Sequence, residues 1–300
     1  MLHNKITVPQ NPGIKNYLSL IKFSHTVFAL PFALAGYFLA IKQPAYSFDW
    51  PILIYVLLCM VFARTAAMAF NRFTDRNIDS GNERTAGREI PMGVIKPKQA
   101  LALTIVSAAL FITVTFFINS LVFYLSPVAL AVILGYSYTK RFTALCHFIL
   151  GLGLALAPIG AYLAVTAEFA VLPVMFSFVV LFWTGGFDII YSLQDESFDS
   201  ANRLSSIPSL AGRKNAVLIS LLVHFLPPIL LITSGLMAHF GLFYWIGTGL
   251  FSGLLFYQHA IIKHNDLSRV NMAFFTLNGI ASTVFAVFFI LDFFFPFTFS

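Results

Sequence analysis

Charge is what this chain has least of. Only 10% of its 300 residues are Asp, Glu, Lys or Arg, where about a quarter is usual for a soluble domain. An ordinary water-soluble globule is thereby excluded. Cysteine is nearly absent too: Cys59 and Cys146 both lie in apolar stretches, so no disulfide-stapled outer domain is indicated. There is no Walker loop, no Gly-x-Gly-x-x-Gly after a strand and no nucleophile elbow. His25, near the start of the first apolar run, reads as a hydrogen-bonded interface residue, and the other six histidines lack metal-ligand spacing. No low-complexity linker divides the chain, which predicts one integral domain over 1–300 with a polar N-terminal segment, 1–17.

What is present is grease. Hydrophobic residues make up 59% of the chain, and the mean hydropathy is +0.85. Crossing a bilayer takes roughly 20 apolar residues, and nine runs qualify: 20–41, 51–72, 99–118, 121–138, 144–166, 171–193, 215–236, 240–262 and 271–295. They are continuous rather than alternating, so helices are expected and not a barrel. The first run is too long for a signal peptide and has no small-residue cleavage site, so it is expected to be retained. Asn119 and Ser120 form a tight hairpin between the third and fourth runs. The fold class expected is all-α: a polytopic membrane protein with nine transmembrane helices around a central cavity open to the cytoplasmic face. The 35 phenylalanines suit either lipid-facing helices or a greasy tunnel, and lipid is the expected fate of most.

A formal charge of +6 invites a nucleic-acid reading, but the placement of the charges argues against it. Lys5, Lys15, Lys22, Arg72, Arg76, Arg84, Arg88, Lys96, Lys98, Lys140, Arg141, Arg203, Arg213, Lys214, Lys263 and Arg269 all fall on one side if nine spans start from an inside N-terminus. Lys42 alone falls outside, and Arg64 lies within a span. This is the positive-inside asymmetry. It predicts a cytoplasmic N-terminus and an outside C-terminus. Nucleic acid and an obligate protein partner are not indicated.

Two acidic motifs carry the chemistry. Asn71, Asp75 and Asp79 close the second span; Asp188, Tyr191, Asp195 and Asp199 close the sixth. In each, aspartates at i and i+4 share a helical face, and Arg64, Asn71, Asp75 and Asp79 stand near one stripe of a 3.6-residue helix. Either pair alone is an ordinary solvated helix end. Two matched pairs on one membrane face are expected to converge, and their spacing of four spans suggests a duplicated four-helix half. Hard cations such as Mg²⁺ take oxygen ligands from one or two carboxylates and substrate phosphates; Asp75, Asp79, Asp195 and Asp199 supply these, with Asn71 as a neutral oxygen. Arg84, Arg88, Lys140 and Arg141 offer cations to phosphate oxygens. Segments 73–98 and 194–214 are the candidate lids. A charge at Arg64 costs on the order of 2.5–3.5 kcal/mol inside a span, so it is expected to meet an anionic substrate or hold the acids in place. A cation-coupled transporter is the rival from another class, but it expects acids near the midplane and matching broken helices.

The chain resembles the UbiA superfamily of intramembrane aromatic prenyltransferases. The resemblance is carried by Asn71-x3-Asp75-x3-Asp79 with Arg84-Thr85-x-x-Arg88-x-x-Pro91-x-Gly93, by Asp188-x2-Tyr191-x3-Asp195-x3-Asp199, by Arg64, and by Tyr138-Thr139-Lys140-Arg141-Phe142-Thr143. It is most similar to the bacterial branch that prenylates quinone precursors: 4-hydroxybenzoate polyprenyltransferases and the related enzymes of the futalosine route to menaquinone. Arg203 stands where many of the former carry a lysine. The resemblance implies Mg²⁺-dependent transfer from a polyprenyl diphosphate to a small aromatic acceptor, 4-hydroxybenzoate first and a dihydroxynaphthoate as the alternative. It further implies a place in the bacterial inner membrane, in contact with lipid. Catalysis would fall to Asp75, Asp79, Asp188, Tyr191, Asp195 and Asp199, and substrate binding to Arg64, Asn71, Arg88, Lys140 and Arg141.

Overall fold

The computed structural model describes residues 12–22 and 28–297; the expectation for His25 lies outside the described residues. Thirteen α-helices follow one another: α1 Ile14–Leu20, α2 Leu30–Ile41, α3 Trp50–Thr74, α4 Arg76–Gly81, α5 Pro97–Phe116, α6 Ser120–Thr139, α7 Cys146–Thr166, α8 Val171–Ser192, α9 Glu196–Ala201, α10 Ile207–Val223, α11 Leu226–Ala238, α12 Leu242–Ile261 and α13 Asn278–Phe294. No strand occurs among the described residues. Among the described residues, seven segments are long and apolar enough to cross a membrane: Trp50–Thr74, Pro97–Phe116, Ser120–Thr139, Cys146–Thr166, Val171–Ala201, Ile207–Ala238 and Met272–Phe294. This is a multi-pass membrane protein. Of the other two expected spans, the first appears as the 12-residue helix α2. The eighth is the 20-residue helix α12, whose glycines, Gln258 and His259 dilute its hydropathy.

Helix starts follow ordinary capping chemistry. Asp49 accepts from the Ile52 amide at 3.2 Å to open α3, and Asn119 accepts from Val122 at 2.9 Å to open α6. The start of α12 is capped from a distance: Asp292, in α13, accepts from the amides of Gly241 at 2.9 Å and Tyr244 at 3.2 Å.

The two acidic segments depart from the expected single helical stripe in the same way. α3 ends at Thr74, and Asp75 takes φ −92° and ψ 3° before α4 begins. α8 ends at Ser192, passes through one tighter turn, Leu193–Asp195, and Asp195 takes φ −100° and ψ 0° before α9. Both backbones sit in the bridge region, where helical turns are interrupted. Asp79 still donates its amide to the Asp75 carbonyl at 2.7 Å. Each long helix is thus interrupted at its first metal-motif aspartate and followed by a six-residue helix that carries the second. Segments 73–98 and 194–214 are largely short helices and turns rather than open loops.

Phenylalanine divides between a buried aromatic core and exposed helix faces. Phe32, Phe176, Phe251, Phe285 and Phe289 are buried with Trp183 and Tyr244 in one aromatic core between α2, α8, α12 and α13, with ring centroids such as Phe32–Trp183 at 5.3 Å and Phe32–Phe285 at 5.5 Å. Lipid faces hold others, among them Phe116, Phe178 and Phe225. Membrane helices pack closely through small residues, and α7 against α8 does so at Gly151, where an added Cβ would lie 2.5 Å from the Leu181 carbonyl oxygen. Gly160, on the same helix, has open space at that position. Gly151→Ala is therefore expected to destabilise the fold by about 1–3 kcal/mol through overpacking, seen as a lower melting temperature in detergent, while Gly160→Ala causes no such loss.

Candidate active site

The broken ends of α3 and α8, the turn joining α6 to α7, and the short helices α4 and α9 meet around a chamber of about 280 Å³. All eleven residues expected at the site line it. The turn after α6 is the crosspiece. Lys140 Nζ lies 2.7 Å from Asp199 Oδ1, and the next residue, Arg141, points the other way, donating to the Thr74 carbonyl at 2.8 Å and reaching Asp75 Oδ1 at 3.3 Å. Arg84 crosses from the first motif's loop to grip Asp195 as a fork, Nε to Oδ1 at 2.8 Å and Nη2 to Oδ2 at 2.5 Å. Arg88 Nη1 donates to Asp79 Oδ1 at 2.6 Å. Each of the four metal-motif aspartates therefore has its own cation.

The pairing answers an electrostatic problem. Asp79, Asp195 and Asp199 are buried, and an uncompensated buried charge is strongly destabilising. At Asp75, burial and then the neighbouring Asp79 raise the carboxyl's pKa above the usual range, against the pull of Arg141. For Arg84, burial opposes the charge, but the Asp195 fork outweighs it and raises the guanidinium's pKa. Asn82 adds a donor to Asp195 Oδ1 at 2.8 Å, and Ser206 donates to Asp199 Oδ2 at 3.0 Å.

The remaining expected residues sort into two groups. Asn71 Nδ2 donates to Asp75 Oδ2 at 2.8 Å, so it belongs with the first acidic pair. Tyr191 accepts from Arg84 Nη1 at 2.9 Å and stacks on Phe274 at 4.0 Å between centroids. Asp188 lies deeper and meets a histidine, His147, at 2.7 Å. Arg64 does not hold Asn71 or the acids: its guanidinium donates to the Lys22 carbonyl at 3.3 Å. It stands instead where the chamber meets a second, apolar cavity of about 380 Å³, and Tyr136, Met68, Leu150 and Leu154 also border both spaces. That cavity runs between α3, α5, α6 and α7 to Ile118 and Phe169 at the opposite helix ends, walled by Ala, Val, Leu and Ile. Sequence reasoning passed over His147, Asn82 and the buried Arg72. For His147 a signal existed: an ionisable side chain in an apolar segment is a functional candidate by default.

The donor set suits a hard divalent cation. Among the described residues no three His, Cys, Asp or Glu side chains gather as a metal-binding group, so each motif offers two carboxylates at most. Mg²⁺ is commonly held that way, completed by phosphate and water oxygens. Asp79 Oδ2 is buried with no hydrogen-bond partner, and Asp199 Oδ1 has only the Lys140 ammonium, at 2.7 Å. Such oxygens have unused capacity to ligate.

Residues 29–280 match the family model described as the UbiA prenyltransferase family. A 4-hydroxybenzoate octaprenyltransferase of Aliivibrio fischeri is 30% identical over 237 residues, 79% of this chain and 83% of that protein. The structure is similar to that of a UbiA homolog from Aeropyrum pernix in its apo form, with TM-score 0.81 and 32% identity, covering 89% of this chain and 98% of the other. A UbiA homolog from Archaeoglobus fulgidus bound to DMAPP and Mg²⁺ shares the fold, with TM-score 0.71 and 20% identity over 93% of this chain and 99% of that one.

Lys140→Met leaves Asp199 buried beside no cation. It is expected to cost about 1–3 kcal/mol of stability, measured as a melting temperature in detergent. Lys140→Met with Asp199→Asn is expected to recover most of that loss, as a coupled pair does in a double-mutant cycle.

Proposed function

The chain belongs to the UbiA prenyltransferase family, and from that premise we propose that it transfers a polyprenyl group from a polyprenyl diphosphate to 4-hydroxybenzoate in quinone biosynthesis. It is a prenyltransferase. The observation that carries the finer reading is the joining of two spaces, a charged chamber and an apolar cavity, across Arg64 and Tyr136. A molecule with a diphosphate head and an isoprenoid tail matches both.

Mg²⁺ would be held by Asp75 and Asp79, with Asn71, and by Asp195 and Asp199; when bound it neutralises diphosphate and makes it a better leaving group. Arg84, Arg88, Lys140 and Arg141 ring the same oxygens and hold the charge that develops on the departing group. Such preorganised stabilisation is usually the largest catalytic contribution. The allylic C–O bond breaks with its electron pair going to diphosphate, the allylic carbon bonds the ring carbon beside the phenolic carbon, and that ring carbon then loses its proton. Tyr191, its ring held between the Arg84 guanidinium and Phe274, fixes the Arg84 side chain beside the diphosphate site through its hydroxyl. Arg64 is placed for the acceptor's carboxylate. Apolar walls keep water from the allylic cation.

The distribution of charge supports a topology as well. The chamber gathers the ends of α3, α6 and α8 with most of the basic residues, whereas Lys42, Glu168 and Asp292 mark the opposite end. We assign the chamber's mouth and the N-terminus to the cytoplasmic side of the bacterial inner membrane, with the C-terminus outside and nine spans in all.

Purified protein in detergent, given labelled prenyl diphosphate and a panel of 4-hydroxybenzoate, dihydroxynaphthoate and other phenols, is expected to prenylate 4-hydroxybenzoate, as read by product mass. Chelation with EDTA is expected to stop turnover, and added Mg²⁺ to restore it. Asp75→Ala and Asp195→Ala should each lower kcat by at least about 100-fold while the protein remains folded. Full activity in either variant overturns the metal assignment, and a naphthoate product reassigns the acceptor.

A further inference from the structure

Five aspartates line the chamber, and four of them carry ion pairs to Lys or Arg. Asp188 is the exception among the described residues. Its partner is His147, with Nδ1 2.7 Å from Asp188 Oδ2. His147 is only 2% exposed, whereas the Asp188 side chain keeps 21% of its surface open toward the chamber. The other imidazole nitrogen settles the protonation pattern. Nε2 lies 3.2 Å from the backbone amide of Ile207. A backbone N–H can only donate, so Nε2 is the acceptor. The single proton of the neutral ring then sits on Nδ1 and is donated to Asp188. The arrangement mirrors the carboxylate–histidine pairs in which a second hydrogen bond fixes the tautomer, but here the backbone fixes the histidine and the histidine fixes the carboxylate.

Position separates Asp188 from the diphosphate chemistry. It stands seven residues before Asp195 on the same segment, roughly 10 Å deeper at 1.5 Å per residue. A carboxylate without a cation repels a phosphate and attracts a hydroxyl donor. Ile207 opens α10, where an amide would otherwise lack a partner, so His147 also ties that helix to the chamber floor. Its immediate neighbour Ser206 bonds Asp199. Two consecutive residues thus set the second motif's deep and shallow acids in one register.

We propose that His147 is a positioning residue for the acceptor subsite: through its Nδ1–H it holds the Asp188 carboxylate ready to accept the hydroxyl hydrogen of the aromatic acceptor. The assignment rests on the prenyl-transfer reading above. The acceptor hydroxyl, drawn toward Asp188, releases electron density to the ring carbon that bonds the prenyl group. Without Nδ1–H the carboxylate turns away from that line, and the loss falls on kcat and on acceptor KM rather than on the prenyl diphosphate.

Two near-isosteric variants divide the histidine's two contacts. His147→Asn places an amide donor where Nδ1 was and gives up the Ile207 contact. His147→Gln places an acceptor where Nε2 was and gives up the Asp188 donor. With full-length protein in detergent, geranyl diphosphate, Mg²⁺ and 4-hydroxybenzoate, His147→Gln is expected to lose on the order of 10²-fold in kcat, with KM for geranyl diphosphate within about twofold. His147→Asn is expected to keep roughly tenfold more kcat than His147→Gln, despite the lower melting temperature that a lost helix cap brings. In an Asp188→Asn background, His147→Gln is expected to add no further loss, and this comparison stands even if His147→Asn fails to fold. Equal losses in the two single variants, a loss carried by KM for geranyl diphosphate, or additive losses in the double variant would overturn the assignment. An inactive wild type with every acceptor would instead overturn the prenyl-transfer reading itself, and this assignment with it.

Discussion

Everything at the polar end of this molecule depends on one constraint: four aspartates occupy an apolar frame, and each must have a positive partner of its own. Lys140, Arg141, Arg84 and Arg88 meet that need. Three of the four reach out of their own segment to do so. The consecutive residues Lys140 and Arg141 serve opposite motifs, and Arg84 crosses from the first motif to the second. These pairs tie the two motifs together around the chamber. Desolvation makes such pairs weak as a source of net stability but costly to break. They specify geometry more than they add to the folding free energy.

The breaks at Asp75 and Asp195 belong to the same constraint. A continuous helix would carry Asp79 and Asp199 outward along its axis, away from the facing motif. Both helices are interrupted at the equivalent residue, with nearly equal φ and ψ, and each second aspartate lines the chamber. The deep end of the second motif is held differently, by His147 and the start of α10.

Much of the site was legible in the sequence because charge is so scarce there. In a chain with 10% charged residues, Asp75, Asp79, Asp195, Asp199, Arg88, Lys140 and Arg141 stood out against their background, and the chamber gathers them all. Spacing located the acids on one face but not the helix breaks, because a single bridge-region residue leaves the i, i+4 hydrogen bond from Asp79 to Asp75 intact. His147 was passed over because a search for metal-ligand spacing cannot detect a histidine whose partners are a carboxylate 41 residues on and a backbone amide. The phenylalanines illustrate a different limit. Composition is blind to which face of a helix meets protein, and it did not show that some of the phenylalanines build one aromatic core while the cavity wall is mostly smaller aliphatic side chains. Arg64 was legible as costly, but its contact with the Lys22 carbonyl was not.

The shared border of the two spaces works as the zero mark of a ruler. Arg64 and Tyr136 stand at the fixed end, beside the carboxylates, and Phe111, Ile118 and Phe169 stand near the far end of the apolar cavity. On the prenyl-transfer reading, the reacting carbon is registered from the head, whatever length of tail follows. Changes at the far end then alter which tails fit without moving the first isoprene unit relative to Tyr191 or Asp188. Selection for tail length and selection for chemistry act on separate sets of residues, so a lineage can shift from one quinone tail to another and leave its reaction centre untouched.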